Sequence, residues 1–232
     1  MGAIMKKSDK EDITKIPEPD VNDVGHTLIK AGLSLFPVVG GSAAEVFNYL
    51  ICPPLLKRKD KWLQSIAAIV LELKEKSFSI DDLSKNEAFI TIVLHATSVA
   101  IKNHHEEKLK ALRNAVINSV LPNAPDEDLQ LMFINIIDVL TPSHLLVLRR
   151  HDSPILYAGK SILSHSRKSV QISGMFPEFI DNEDFLTQII KDLYSHGLID
   201  SDSNTMQLND GGFMLSRKTI LGTQFIQYIT EN

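Results

Sequence analysis

The sequence predicts a mainly α protein: a helical bundle followed by a winged-helix-like α+β domain with a short β-hairpin. Three observations carry that expectation. Apolar residues recur at helical spacing from Val21 to Leu140. Two segments, 89–101 (FITIVLHATSVAI) and 129–140 (LQLMFINIIDVL), are apolar on nearly every side, as helices central to a bundle are. Further on, a helical pattern, a Gly-Leu-Ile step, two short apolar runs around an Asn-Asp-Gly-Gly turn and a last helix follow one another. The divisions expected are a flexible tail at 1–20, a bundle at 21–140 and the winged-helix-like domain at 141–232.

The tail is polar, carries Lys6, Lys7 and Lys10 beside Glu11 and Asp12, and ends in two nearby prolines, Pro17 and Pro19. No apolar signal-peptide core follows its lysines, and Lys6 stands where a myristoylation motif wants Ser or Thr. Ser42-Ala43-Ala44-Glu45 has capping-box order, so a helix is expected from Ser42 to about Ile51, stopped by Pro53 and Pro54. A long helix then runs from about Leu55 to Lys76 with Trp62, Ile66, Ile69, Val70 and Leu73 on one side. Residues 105–121 read as an ordinary amphipathic helix, Leu109, Leu112, Val116 and Val120 inward and Lys108, Lys110 and Arg113 outward.

Thr141 caps and Pro142 opens a helix to about Arg150. After a looser stretch with Pro154, Gly159, Gly174 and Pro177, the residues Phe185, Leu186, Ile189, Ile190 and Leu193 mark a helix that stops at Gly197. Residues 206–208 and 213–215 are the expected hairpin, and a last helix begins near Thr219 with Leu221, Phe225, Ile226 and Ile229.

The C-terminal half, from His105 on, resembles poorly characterised bacterial helical proteins, the abortive-infection alpha-type (Abi-alpha) family among them. The residues that carry the likeness are Glu107-Lys108-Leu109 through Leu112-Arg113-Asn114-Ala115, then Phe133-Ile134-x-x-Ile137-Asp138-x-Leu140, and finally Gly197-Leu198-Ile199 with Thr219-x-x-Gly222-x-x-Phe225. The resemblance implies an α-helical bacterial protein with a winged-helix-like end, linked to phage exclusion, and it brings no catalytic residue.

The chain has 232 residues, 44% hydrophobic and 23% charged, with a net charge of -5. That is a globular composition with enough apolar material for a sizeable core, and its acidity argues against a nucleic-acid coat protein. Cys52 is the only cysteine, so no disulfide forms within the chain and a reducing, cytoplasmic setting fits, with association at a membrane surface as the variant. Gly159-Lys160-Ser161 looks like the end of a P-loop, but Pro154 stands where the motif needs glycine. His104-His105-Glu106-Glu107 is a dense group of metal-ligating side chains without the third ligand a zinc centre needs, and His95 reads as a buried, hydrogen-bonded histidine. Ser42 lacks the strand-turn-helix frame of an esterase elbow, and the adjacent pairs Asp81-Asp82 and Glu106-Glu107 diverge on a helix. The expectation is therefore no enzyme, no cofactor and no metal.

Three surfaces remain. Lys57, Arg58, Lys59 and Lys61 crowd the first turns of a helix, where cations oppose the macrodipole, and so call for an anionic surface. Residues 31–56 hold one charge, Glu45, and offer Leu35, Phe36, Phe47 and Leu50 to a partner or a membrane, with a buried helical hairpin as the ordinary alternative. Arg167, Lys168, Arg217 and Lys218 are the cations available to nucleic acid, although the presumed recognition helix is acidic. The functional expectation is a non-enzymatic protein-interaction and oligomerisation protein, dimeric by default, with a partner taken by the winged-helix-like domain and a setting in phage defence. The alternatives are a membrane-acting effector that uses residues 31–56 and a winged-helix DNA-binding regulator.

Overall fold

The computed structural model describes residues 46, 49–151, 169–171, 176–207 and 216–231. Contacts divide the chain into two units, Met1–Leu56 and Lys57–Asn232. In the first, Val46, Tyr49 and Leu50 are helical and exposed, and α1 (Cys52–Glu75) begins there. Leu35, Phe36 and Phe47, with the expected tail and capping box, lie outside the described residues. Tyr49 and Leu50 are helical and Ile51 is a turn, which is where a helix was expected to stop before Pro53 and Pro54; the prolines themselves then open the next helix, which was expected to begin only near Leu55. Amides of a first turn have no carbonyl to reach, so prolines there forfeit nothing, and Leu55 just past them donates to the Ile51 carbonyl at 3.1 Å.

The second unit is mainly helical, with α2 (Ile80–Lys85), α3 (Glu87–Lys102), α4 (Glu106–Asn118), α5 (Glu127–Val139), α6 (Pro142–Arg150), α7 (Glu183–Ser195) and α8 (Ile220–Tyr228) following the remainder of α1. Side-chain caps fix several starts: Asn86 accepts from the Phe89 amide at 3.0 Å, Asn182 from Phe185 at 3.2 Å, and Thr219 from Gly222 at 2.9 Å. α3 buries Phe89, Ile92, Ala96, Val99 and Ala100, a single face at three- and four-residue spacing, against α4 and α5. It is thus less surrounded than its composition suggests: Leu94 is 63% exposed, and Val139 at the end of α5 is 61% exposed. His95 is likewise exposed rather than buried, because it precedes Ala96, near the middle of the buried face, by one residue, which places it about 100° around the helix.

Side-chain bonds tie the helices together. Trp62 Nε1 donates to Thr97 Oγ1 at 2.9 Å, which joins α1 to α3, and Arg113 of α4 pairs with Glu72 of α1. Lys108, expected to face water, is 4% exposed and donates to the Asp138 carbonyl at 2.8 Å. Its stem is packed inside the bundle while its ammonium serves the carbonyl end of α5. Lys102 reaches the Asp138 carboxylate at 2.9 Å.

Among the described residues the expected α+β winged-helix-like domain is overturned, since they are mainly helical; of the expected hairpin, residues 208–215 lie outside them. Among the described residues the only strands are β1 (Ser169–Gln171) and β2 (Thr205–Gln207), three residues each, paired antiparallel across α7. One isolated bridge joins Ile199 to Lys218, and the remaining elements are helical. Along one edge, Thr205–Gln207 takes its partner from more than thirty residues upstream, a pairing that no pattern in its own neighbourhood announces. The last helix is built into the helical core: Asn114 donates to the Ile229 carbonyl at 3.0 Å, and Asn118 to those of Tyr228 and Thr230, both at 2.9 Å. Phe225 and Tyr228 then stack on Phe133 of α5, with centroids 5.4 and 5.5 Å away.

The residues of the Gly-Leu-Ile and Thr-x-x-Gly-x-x-Phe patterns meet in one packed joint. Thr219 donates through its hydroxyl to the Gly197 carbonyl at 2.6 Å and through its amide to that of Leu198 at 3.1 Å. A Cβ on Gly222 would stand 2.0 Å from the Leu198 carbonyl oxygen, so only glycine fits there. Gly197 has φ +69°, but a Cβ would meet no atom closer than Leu221 Cδ2 at 3.5 Å. Gly222→Ala should therefore lower stability by about 3 kcal/mol or more, and Gly197→Ala by about 1 kcal/mol, read from urea midpoints at unchanged slope.

Candidate functional site

α1 has two apolar sides. Trp62, Ile69 and Leu73 are buried on one. On the other, Leu63 is 48% and Leu71 62% exposed, four residues to either side of the exposed Ala67, so the three form a continuous stripe along the helix. An outer helix of a self-sufficient bundle ordinarily carries polar side chains there. Flanking the stripe are the basic residues. Lys57 and Lys61 are exposed, Lys59 is half-buried, and none has a carboxylate at ion-pair distance among the described residues. Arg58 does find an electronegative neighbour: its guanidinium donates at 3.4 Å to the Lys102 carbonyl, at the C-terminus of α3, where a cation complements the helix dipole.

Of the four expected nucleic-acid cations, Arg217 and Lys218 are among the described residues. Arg167 and Lys168 lie outside the described residues. Arg217 is 7% exposed and spent internally, donating to the carbonyls of Ser203 at 2.7 Å and Thr205 at 3.4 Å, with Asp200 at 3.6 Å. Lys218 is half-buried and its backbone pairs with Ile199. α7 presents Glu183 and Asp184 in its first turn, as its composition led one to expect.

A polar chain that no local pattern reveals crosses from α6 to α7. His144 is 5% exposed. Its Nδ1 lies 2.7 Å from the Thr141 hydroxyl and accepts from the Thr141 amide at 3.2 Å; its Nε2 lies 3.1 Å from Asp192, whose other oxygen accepts from Gln188 at 2.7 Å. An amide that donates to Nδ1 requires that nitrogen unprotonated, so Nε2 carries the hydrogen and donates to Asp192. The order hydroxyl, imidazole, carboxylate is that of an activated nucleophile. Here it closes the start of α6, with His144 in the place of the Glu of a capping box. Burial holds the His144 pKa below its ordinary value despite the opposing pull of Asp192.

His151, just past the end of α6, is 3% exposed with neither ring nitrogen hydrogen-bonded among the described residues, and its centroid lies 6.3 Å from that of Phe176. Burial, then the nearby Arg217, pushes its pKa down to about 4. Elsewhere, His104 and His105 stack on one another at 4.0 Å, and among the described residues no three His, Cys, Asp or Glu side chains are gathered to hold a metal. Gly159, Lys160 and Ser161 lie outside the described residues.

Comparison with protein-family models, with curated proteins and with solved structures finds no match for this chain.

The two buried histidines make stability depend on pH in a definite direction. Both are neutral when folded and have folded pKa values below that of the unfolded chain, about 6.5, so acid protonates the unfolded chain first. Stability should be full above about pH 6.5 and fall as pH drops towards 4, His151 alone costing about 3 kcal/mol at the lower end. Urea midpoints measured across that range should decline for the natural chain and decline less for His151→Leu.

Proposed function

We propose that this chain acts by association and not by catalysis, and that the outer stripe of α1 is the surface it uses first. The observation that carries the reading is the pair of apolar sides on one helix: the core covers Trp62, Ile69 and Leu73, and among the described residues Leu63, Ala67 and Leu71 stay exposed. Two copies of the stripe brought together by a twofold axis remove it from water without any further partner, and a twofold dimer is the commonest assembly of a soluble chain. The biological setting we favour is phage defence, on the likeness to the Abi-alpha family, whose shared residues here form the joint between Gly197 and Phe225.

A membrane surface is the second reading, favoured by Val46, Tyr49, Leu50 and Ile51, all at least 45% exposed and close in sequence to Lys57, Lys59 and Lys61. No single helix among the described residues is long and apolar enough to cross a membrane.

Light scattering at micromolar concentration should report a dimer, and Leu63→Glu with Leu71→Glu should give a monomer with unchanged helical circular dichroism, since both positions face water in the single chain. A monomeric natural protein would remove the reading. Vesicles of phosphatidylglycerol tell the second reading apart: Leu50→Asp should stay folded, because Leu50 is 58% exposed, and binding that this change abolishes and salt weakens would place the membrane first.

A further inference from the structure

The α4–α5 connection and α8 enclose a cleft of about 550 Å3, lined by Asn118, Leu121 to Pro125, Gln224, Gln227 and Tyr228. None of these residues carries a charge, which sets the cleft apart in a protein with 23% charged residues. Phosphate, carboxylate and metal ligands would each need an opposite charge that the lining does not have. Its floor is apolar or already paired. Asn118 donates to the carbonyls at the end of α8, and the Tyr228 hydroxyl donates to Gln130 Oε1 at 3.3 Å. The rim is different: Asn123, Gln224 and Gln227 are exposed, and their side-chain amides make no hydrogen bond among the described residues.

We infer that this cleft binds a short, uncharged peptide segment in extended conformation, with Gln224 and Gln227 paired to its backbone. A primary carboxamide offers a donor and an acceptor on one edge, and so does a residue in extended backbone, whose own N–H and C=O point to the same side, so the two join through two hydrogen bonds at once. Gln224 and Gln227 are three apart on α8 and so share a face, about 5–6 Å between their Cβ atoms. An extended strand presents backbone groups on one edge every second residue, about 7 Å, a spacing two flexible glutamine side chains can meet. The intervening side chain of such a peptide turns towards Leu121, Pro122 and Pro125. The two prolines have no amide to offer, which leaves the side-chain amides as the cleft's donors on that side. With no charge on either partner, binding should be insensitive to salt, unlike association with nucleic acid or anionic lipid. The site lies away from the α1 stripe in sequence and does not depend on that reading.

The test uses the full 15N-labelled chain, titrated with N-acetyl-trialanine N-methylamide, while the side-chain NH2 resonances of Asn123, Gln224 and Gln227 are followed. The expected result is a saturable shift of the two glutamine signals, equal at low and high salt, with binding about tenfold weaker or lost in Gln224→Leu plus Gln227→Leu. Both positions are exposed, and Gln224→Leu alone, expected to weaken binding by a smaller factor, serves if the double variant misfolds. The inference is overturned if the blocked peptide gives no saturable shift up to its solubility limit. It is overturned equally if maltose saturates the same signals and the peptide does not, which would make the amides a site for hydroxyl groups.

Discussion

The arrangement depends most on two asparagine side chains of α4 that close the C-terminus of α8. The last carbonyls of a helix have no partner within it, and the end of α8 is set against the core, where each unpaired group would cost about 1–3 kcal/mol. Asn114 and Asn118 bond to the carbonyls of Ile229, Tyr228 and Thr230 and, at 3.3 Å, of Gln227. With that end fixed, Phe225 and Tyr228 fall onto Phe133, and Gly222 is pressed on the Leu198 carbonyl with no room for a methyl group. The same contact sets one wall of the amide-rimmed cleft, so the clamp that stabilises the fold also shapes that uncharged hollow.

Helix C-termini are treated alike elsewhere. Lys108 serves the Asp138 carbonyl near the end of α5, and Arg58 the Lys102 carbonyl at the end of α3. In each case a long side chain lies along the bundle and delivers its charge where the dipole favours it, which is why a lysine at an inward position of α4 is tolerated. His144 does the corresponding work at a helix start, and only in its neutral form. Burying neutral imidazoles, at His144 and at His151, makes the fold sensitive to acid.

Much of the helical framework was legible because its signals are local. The Thr141-Pro142 start, the stop at Gly197 and the start of the last helix at Thr219 each rest on a residue whose own backbone preference or side-chain oxygen decides the outcome. What escaped the sequence is non-local. Prolines at 53 and 54 read equally well as an end or a beginning until the helix beyond them is known. Lys108 reads as surface until the carbonyl at Asp138 is brought to it, thirty residues on. Thr205–Gln207 has good turn residues after it and nevertheless pairs with β1, whose identity no pattern near it announces. Of the candidate site, the basic start of α1 was visible, whereas the Thr141, His144 and Asp192 chain and the free amides of Gln224 and Gln227 were not, since exposed glutamines carry no periodic signal.

Total hydrophobicity is a poor guide to which helix associates. Segments 89–101 and 129–140, apolar on nearly every side and read as central to a bundle, are covered by the fold except at isolated positions such as Leu94 and Val139. Single exposed aliphatic residues are ordinary on any soluble surface and demand no explanation. α1 is the different case, though its composition is the more polar of the two kinds. Its apolar residues are divided between a buried side and an exposed one, so that Leu63, Ala67 and Leu71 fall in line. A line of contiguous side chains can be covered in one step by one neighbouring helix, and scattered residues cannot. Arrangement on the surface, more than total hydrophobicity, therefore decides which helix is the one to associate.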